Sequence, residues 1–467
     1  MIFNSIEFAF FLPVVFALYW LLKKHLWWQN LLVLVASYVF YGWWNWKYLV
    51  LIIFTSGCSY ASGLLIRDSS RPKIRKTALW GNILVNLGIL GLFKYYNFFI
   101  SEFAELMGLQ SLTFLLNIVL PVGISFYTFQ ALSYSIDISR GKVEPTRDVV
   151  AFFSYIAFFP QLVAGPIERA SNLLPQFLRK REFDYGTAVD GCRQILWGLF
   201  KKMVVADNCA PYVDAVFTSG GNGTEHLMAA ILFAIQIYGD FSGYSDIAIG
   251  TAKLFGIRLM QNFRTPYFSR DIAEFWRRWH ISLTSWFRDY LYIPLGGSRV
   301  VRWKVVRNTF IIFLVSGLWH GANWTFLLWG FYHACLFLPL ILLGKNRKYT
   351  DEVASGRLLP TLKELVQMVL TFALVTIGWV IFRAPSIDQA LLFFHNPTDN
   401  PDLLVPWVAV VFAGVMFVIE WTTRHRSHGL DLGAVRQPWI RAIIYYFLVT
   451  VTLLLSVPSE NFIYFQF

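Results

Sequence analysis

The sequence predicts an all-α protein that crosses a membrane many times, and three observations support this. Hydrophobic residues fill 56% of the 467 positions, aromatic residues 18%, and charged residues only 15%. A water-soluble chain carries about 25% charged residues. The apolar residues run in long stretches separated by short basic clusters. The aromatic excess, with 44 Phe, 22 Tyr and 19 Trp, suits a lipid-embedded body with interfacial belts.

Apolar runs of roughly 17–25 residues are long enough to cross a bilayer as helices. They begin near Ile6, Leu31, Tyr48, Leu79 and Leu112, span Ala188 to about Ala206, and begin again near Leu227, Leu365, Val405 and Ala442. Two more regions, Val149 to Gly165 with Pro160 inside and Asn308 to Leu343, are apolar but broken. Together they give about eleven or twelve membrane segments, re-entrant helices included. The first run carries its positive charge behind it, at Lys23 and Lys24, and reads as a retained helix with its N-terminus outside.

Forty Lys and Arg against 28 Asp and Glu leave a net charge of +12. The basic clusters at 23–24, 67–76, 179–181, 299–307, 345–348 and 424–441 all fit the cytoplasmic side, so membrane topology explains the balance better than nucleic-acid binding. Four cysteines without paired spacing (Cys58, Cys192, Cys209, Cys335) read as small hydrophobes, neither disulfides nor metal ligands. With no internal repeat and no soluble stretch, residues 1–467 read as one membrane-embedded domain with a motif core at about 121–343.

Within this apolar chain the polar residues are informative. His320 lies in SGLWHGANW, between glycines and tryptophans, inside the run from Leu314 to Leu343. An unsatisfied polar group in hydrocarbon costs several kcal/mol. About 36 residues between two basic loops exceed one crossing, so two half-passes are expected to meet at Gly317–Gly321 with His320 facing a cavity. A single long tilted helix is the competing expectation. Gly317 and Gly321 would leave room for substrate beside the ring, and Asn323 would hold its tautomer or donate to an oxyanion. Trp319 is a further supporting candidate.

Three other stretches accompany it. In Glu274 to Arg299, helical spacing puts Trp276, His280, Leu283, Phe287 and Leu291 on one face of an interfacial amphipathic helix, and Arg277, Arg278 and Arg288 on the rest. By spacing alone His280 reads as a core histidine. Tyr238 to Gly250 sets Asp240 and Asp246 into an apolar span, where capping and packing are favoured over orienting a histidine or relaying protons. Pro121 to Glu144 holds Tyr127 and Gln130, with Pro121 and Gly123 suggesting a kinked pass. There is no GxSxG elbow, Walker loop or metal-spaced Cys/His cluster. An imidazole in such a setting suits acyl transfer, taking a proton from a hydroxyl that attacks a thioester or being acylated itself.

PVGISFYTFQALSYSID, FFPQLVAGPIER, YGDFSGYSDIAIG, EFWRRWHISLTSWFRDYLYIPLGG, GLWHGANW and the closing FIYFQF together resemble the membrane-bound O-acyltransferase family. They are most similar to its bacterial branch that modifies surface polymers. RDYLYIPLGGSR and FIYFQF are closer to the subgroup that acetylates polysaccharides such as alginate than to the D-alanylating one. The resemblance implies a ring of helices around a central funnel or tunnel, with His320 as the catalytic histidine and His280 as the second characteristic one. It implies an acyl thioester donor such as acetyl-CoA and no bound cofactor or metal. The basic face of Arg277, Arg278, Arg288 and Arg299 would lie at the donor's cytoplasmic mouth. Further implied are a polysaccharide acceptor, an extracytoplasmic acetyltransferase partner with a serine-hydrolase-like fold, and a place in the bacterial inner membrane. The competing classes are a proton-coupled transporter relaying through the acids and histidines, and a non-catalytic export scaffold.

Overall fold

The computed structural model describes residues 1–108, 115–116, 118–163, 165–395, 404–433 and 435–457. Every regular element among them is helical. Two compact units share the chain: residues 1–192 with 248–260, and residues 193–247 with 261–467.

The first unit contains α1 (Ile6–Leu21), α2 (Leu26–Asn45), α3 (Leu49–Asp68), α4 (Pro72–Leu90), α5 (Tyr96–Leu106), α6 (Ile124–Ser139), α7 (Val149–Ala157), α8 (Phe159–Leu162), α9 (Ala170–Phe177) and the start of α10 (Tyr185–Leu199). Its core is α3 and α4 packed on α6, with α2 packed on α7. The apolar run at 149–165 does break, at Phe158, and Pro160 sits at the start of α8, where its missing N–H is harmless. Gly123 does not kink a pass: at φ +76° it precedes the first turn of α6, and a Cβ there would meet the Leu162 carbonyl. Tyr127 and Gln130 are buried on this helix.

Buried polar groups tie the unit together. Asn30 Nδ2 donates to the Phe177 carbonyl at 2.8 Å, while its Oδ1 accepts from Arg181 at 2.6 Å. Glu168 is fully buried, accepting from Asn172 Nδ2 at 2.7 Å and from the Met260 N–H. Burial pushes its carboxyl up from 4.5 to about 7.

The second unit holds the rest of α10, a π-helical stretch Phe200–Ala206, α11 (Asp207–Ser219), most of α12 (Gly223–Leu254), α13 (Ile272–Arg278), α14 (Ile281–Phe287), α15 (Arg302–His320), α16 (Trp324–Leu342), α17 (Leu362–Arg383), α18 (Ile387–His395), α19 (Trp407–Thr422) and α20 (Pro438–Leu455). Glycine lets α10 approach α12: a Cβ at Gly198 would meet the Gly243 carbonyl at 2.5 Å.

Six helical stretches among the described residues are long and apolar enough to cross a membrane: 26–68 (α2 and α3 together), 72–106, α12, α16, α17 and α20. Shorter apolar helices lie at α1, 149–162 and α19. The span expected from Leu112 begins outside the described residues, as does the closing FIYFQF.

Candidate functional site: two histidines around a tryptophan

His320 is the last residue of α15, and α16 starts at Trp324. The chain therefore turns over 321–323, slightly beyond the expected centre. Each helix has 19 residues, about 28 Å at 1.5 Å per residue, so each exceeds a half-pass. The turn also rules out one long tilted helix. A Cβ at Gly317 would overlap the Phe326 carbonyl, one at Gly321 the Phe326 ring, and one at Gly330 the Phe313 carbonyl. The glycines flanking His320 thus admit the facing helix, and the space their missing side chains leave is taken by Phe326 rather than held open for substrate as expected. Asn323 is also committed elsewhere. Its Oδ1 caps α16 by accepting from Thr325 N at 3.0 Å, and its Nδ2 donates to the Pro385 carbonyl at 2.9 Å, which gives it a structural role at the start of the helix.

The His320 ring is 6% exposed and packs edge-on against Trp319, Trp329 and Phe382, with centroids at 4.9, 5.2 and 5.2 Å. The His280 ring also packs on Trp319, with centroids at 5.9 Å. Two histidines 40 positions apart in the sequence thus pack on one indole.

The expected continuous helix through His280 does not form. Asp271 caps α13 by accepting from Glu274 N at 2.7 Å, and Glu274 pairs with both Arg270 (3.0 Å) and Arg278 (2.9 Å). The helix then stops at Trp279, and His280 takes the left-handed conformation, φ +43°, before α14. That conformation is costly for a residue with a Cβ and persists only where surroundings over-determine it. Asn262 supplies them. Its carbonyl accepts from Ile281 N at 2.9 Å, and its side-chain Oδ1 faces His280 Nδ1 at 3.0 Å and accepts from Ser282 Oγ at 2.9 Å. Asn262 Nδ2 donates to Ser245 Oγ on α12 at 3.1 Å. These tertiary bonds override the helical periodicity. His280 is 1% exposed, its Nε2 has no hydrogen-bond partner, and burial pulls its imidazole down to about 3, so the ring is neutral.

Asp240 and Asp246 do not cap a broken helix. Helix α12 is continuous, and both acids pair with buried lysines on the π-helical stretch: Lys201 Nζ lies 2.6 Å from Asp246, and Lys202 Nζ 2.8 Å from Asp240 and 2.7 Å from Asp207. Gln194 donates to Asp246 at 2.7 Å, Lys201 to Ser242 at 2.9 Å, and the Tyr238 hydroxyl to Glu420 at 2.8 Å. Sequence reading missed Lys201, Lys202 and Glu420. The available signal was charge inside apolar runs, the same signal that exposed His320.

The expected basic face is divided. Arg278 is buried against Glu274 and is no part of an open donor surface. Arg277 is exposed but donates to the Asn346 carbonyl at 2.8 Å and to that of Tyr349; Arg288 pairs with Asp289 at 2.7 Å; Arg299 is exposed. A further buried histidine, His333, also escaped sequence reading. Its ring packs 5.0 Å from Trp276 and 5.0 Å from Trp329, in space that Gly378 leaves by lacking a side chain.

Comparison with known proteins bears on this geometry. The family described as MBOAT, membrane-bound O-acyltransferase, matches residues 146–368, which include both histidines. The chain is 42% identical over 396 residues to the probable alginate O-acetylase AlgI of Pseudomonas aeruginosa, covering 84% of this chain and 73% of that protein. It is 35% identical over 423 residues to the peptidoglycan O-acetyltransferase of Helicobacter pylori, 84% of this chain and 78% of the relative. The teichoic acid D-alanyltransferase of Bacillus subtilis is more distant, 27% identical over 282 residues, 57% of this chain and 69% of the relative.

Proposed function

The chain belongs to the membrane-bound O-acyltransferase family, a multi-pass O-acetyltransferase, and from that premise we propose that it moves acetyl groups onto the hydroxyls of an exported polysaccharide of the alginate kind. The donor in this reading is a cytoplasmic thioester, acetyl-CoA, and the membrane is the bacterial inner membrane. The acetyl group passes through a tunnel among the helices, to the polymer directly or to an extracytoplasmic partner with a serine-hydrolase-like fold. The observation that carries the reading is that the buried rings of His280 and His320 pack on one indole, Trp319, among other aromatic side chains.

The chemistry follows from a neutral imidazole. His320 takes the proton of the attacking hydroxyl as its oxygen bonds to the thioester carbonyl carbon. The tetrahedral adduct collapses, the carbon–sulfur bond breaks, and the departing thiolate receives the proton from the imidazolium. His280 and Trp319 shape the other side of the reacting centre. Arg277, Arg288 and Arg299, the exposed remainder of the basic face, attract the anionic donor. The paired state of Asp240 and Asp246 gives no support to a proton relay through them. The greater distance of the D-alanyl relative favours acetyl over alanyl transfer.

The decisive test is transfer from radiolabelled acetyl-CoA to an alginate acceptor by purified protein. General-base loss costs about 10²–10⁴-fold in rate, so His320→Ala and His320→Gln should both lose transfer while accumulating and melting like the wild type. Near-normal transfer by either well-folded variant would remove His320 from the chemistry.

A further inference from the structure

We propose that Asn262 is a positioning residue for this transfer: it holds His280 as the Nδ1–H tautomer, so that Nε2 meets the substrate as a hydrogen-bond acceptor. The inference rests on the reading above, in which His280 lines the reacting centre.

Four observations lead here. Asn262 is fully buried and sits on no regular element, so neither helix packing nor solvent explains its amide. It receives three groups of the 280–282 corner at once: the His280 ring nitrogen, the Ile281 N–H and the Ser282 hydroxyl. Its own N–H goes to Ser245 on α12, while its oxygen faces the imidazole, 3.0 Å from His280 Nδ1. And His280 occupies a left-handed backbone conformation that this set of bonds sustains.

The tautomer follows from proton counting. A neutral imidazole has one N–H and one lone pair. Asn262 Oδ1 only accepts, so the N–H is spent at Nδ1. What remains at Nε2, buried and without a protein partner, is a lone pair. His280 therefore cannot donate to a developing oxyanion. It receives a hydrogen bond, which limits its partner to a substrate O–H or N–H: the incoming hydroxyl, or an amide of the thioester's carrier arm.

The test compares Asn262→Leu, which keeps the volume but accepts nothing, with Asn262→Asp, which keeps an acceptor facing Nδ1 and can take the Ser245 hydroxyl as a donor instead. Transfer from acetyl-CoA is measured as kcat and KM, beside thermal stability in detergent. Outer partners that hold the tautomer of a metal-ligating histidine are worth roughly 10- to 100-fold, and the same scale is expected for a tautomer held against a substrate. Asn262→Leu should lose that much in kcat, and Asn262→Asp should recover most of it. Should Asn262→Leu fail to accumulate, Asn262→Ser, whose hydroxyl is too short to reach the ring, should show the same loss. The proposal is overturned by a wild-type kcat in a variant lacking the acceptor, or by Asn262→Asp being as slow as Asn262→Leu at equal stability. His320→Ala run in parallel separates the two ideas: transfer surviving there sinks the functional reading. If transfer is lost there but intact in Asn262→Leu, only the inference falls.

Discussion

Two neighbouring residues of α12 anchor two regions that treat buried polarity in opposite ways. Asp246 pairs with Lys201 and accepts from Gln194, Lys201 also donates to Ser242, and the adjacent Lys202 pairs with Asp240 and Asp207, so each buried charge meets an opposite one. Ser245 leads through Asn262 to His280, where one ring nitrogen is held and the other is left open among aromatic rings. Both regions are buried, and both would be costly in hydrocarbon without compensation. In the first the compensation comes from within the protein, which makes it a brace. In the second it is incomplete until something else arrives, which is what a reacting site requires.

The largest effect that tests this contrast is in the brace. Removing one partner of a buried ion pair typically costs about 3–5 kcal/mol, because it strands the other charge. Lys202→Met, which strands Asp240 and Asp207, should lower the melting temperature far more than His320→Ala does. Neutralising both acids as well, with Asp207→Asn and Asp240→Asn, should recover most of the loss. A Lys202→Met protein that melts like the wild type would mean the cluster braces nothing.

Glu168, in the first unit, sharpens the point as a buried acid held by N–H donors. With its carboxyl raised to about 7 from 4.5, the folded state binds the proton more tightly than the unfolded chain. The penalty is absent below pH 4.5, grows as pH rises from 4.5 to 7, and is constant above, reaching roughly 3 kcal/mol by linkage. Stability should therefore fall with rising pH across that window in the wild type, and Glu168→Gln should flatten the slope. Equal slopes in detergent melts of the two proteins would contradict the assignment.

The smallest effect concerns Asn323. As an N-cap rather than a catalytic group, its replacement by Ala should cost about 1 kcal/mol of stability and leave kcat for acetyl transfer close to the wild-type value. A large fall in kcat at unchanged stability would return Asn323 to the reacting centre.

These residues also show what can be read from a sequence of this kind. His320 was legible because an imidazole in an apolar run demands an explanation, and the helical spans were legible from length and hydropathy. Lys201, Lys202, Glu420 and His333 carried the same signal and were overlooked, since each sits in a run that otherwise reads as plain membrane helix. The break at His280 was illegible for a different reason. The local pattern from Trp276 to Leu291 is helical, and what interrupts it is a bond to Asn262, 18 positions earlier. The burial of Arg278 is likewise tertiary, set by its pairing with Glu274 on one turn of α13 and by the Asp351 carbonyl from a later loop.

The hairpin of α15 and α16 has one more consequence. A histidine beside a three-residue turn would ordinarily inherit the restlessness of a loop. Here, at Gly317 and Gly330, main chain lies directly against main chain, with no side chain between to change rotamer and take up slack. His320 therefore moves only as far as two interlocked helices move together. Its thermal wandering is that of a rod, and alignment with a mobile substrate becomes a question of when the substrate stops rather than where the base is.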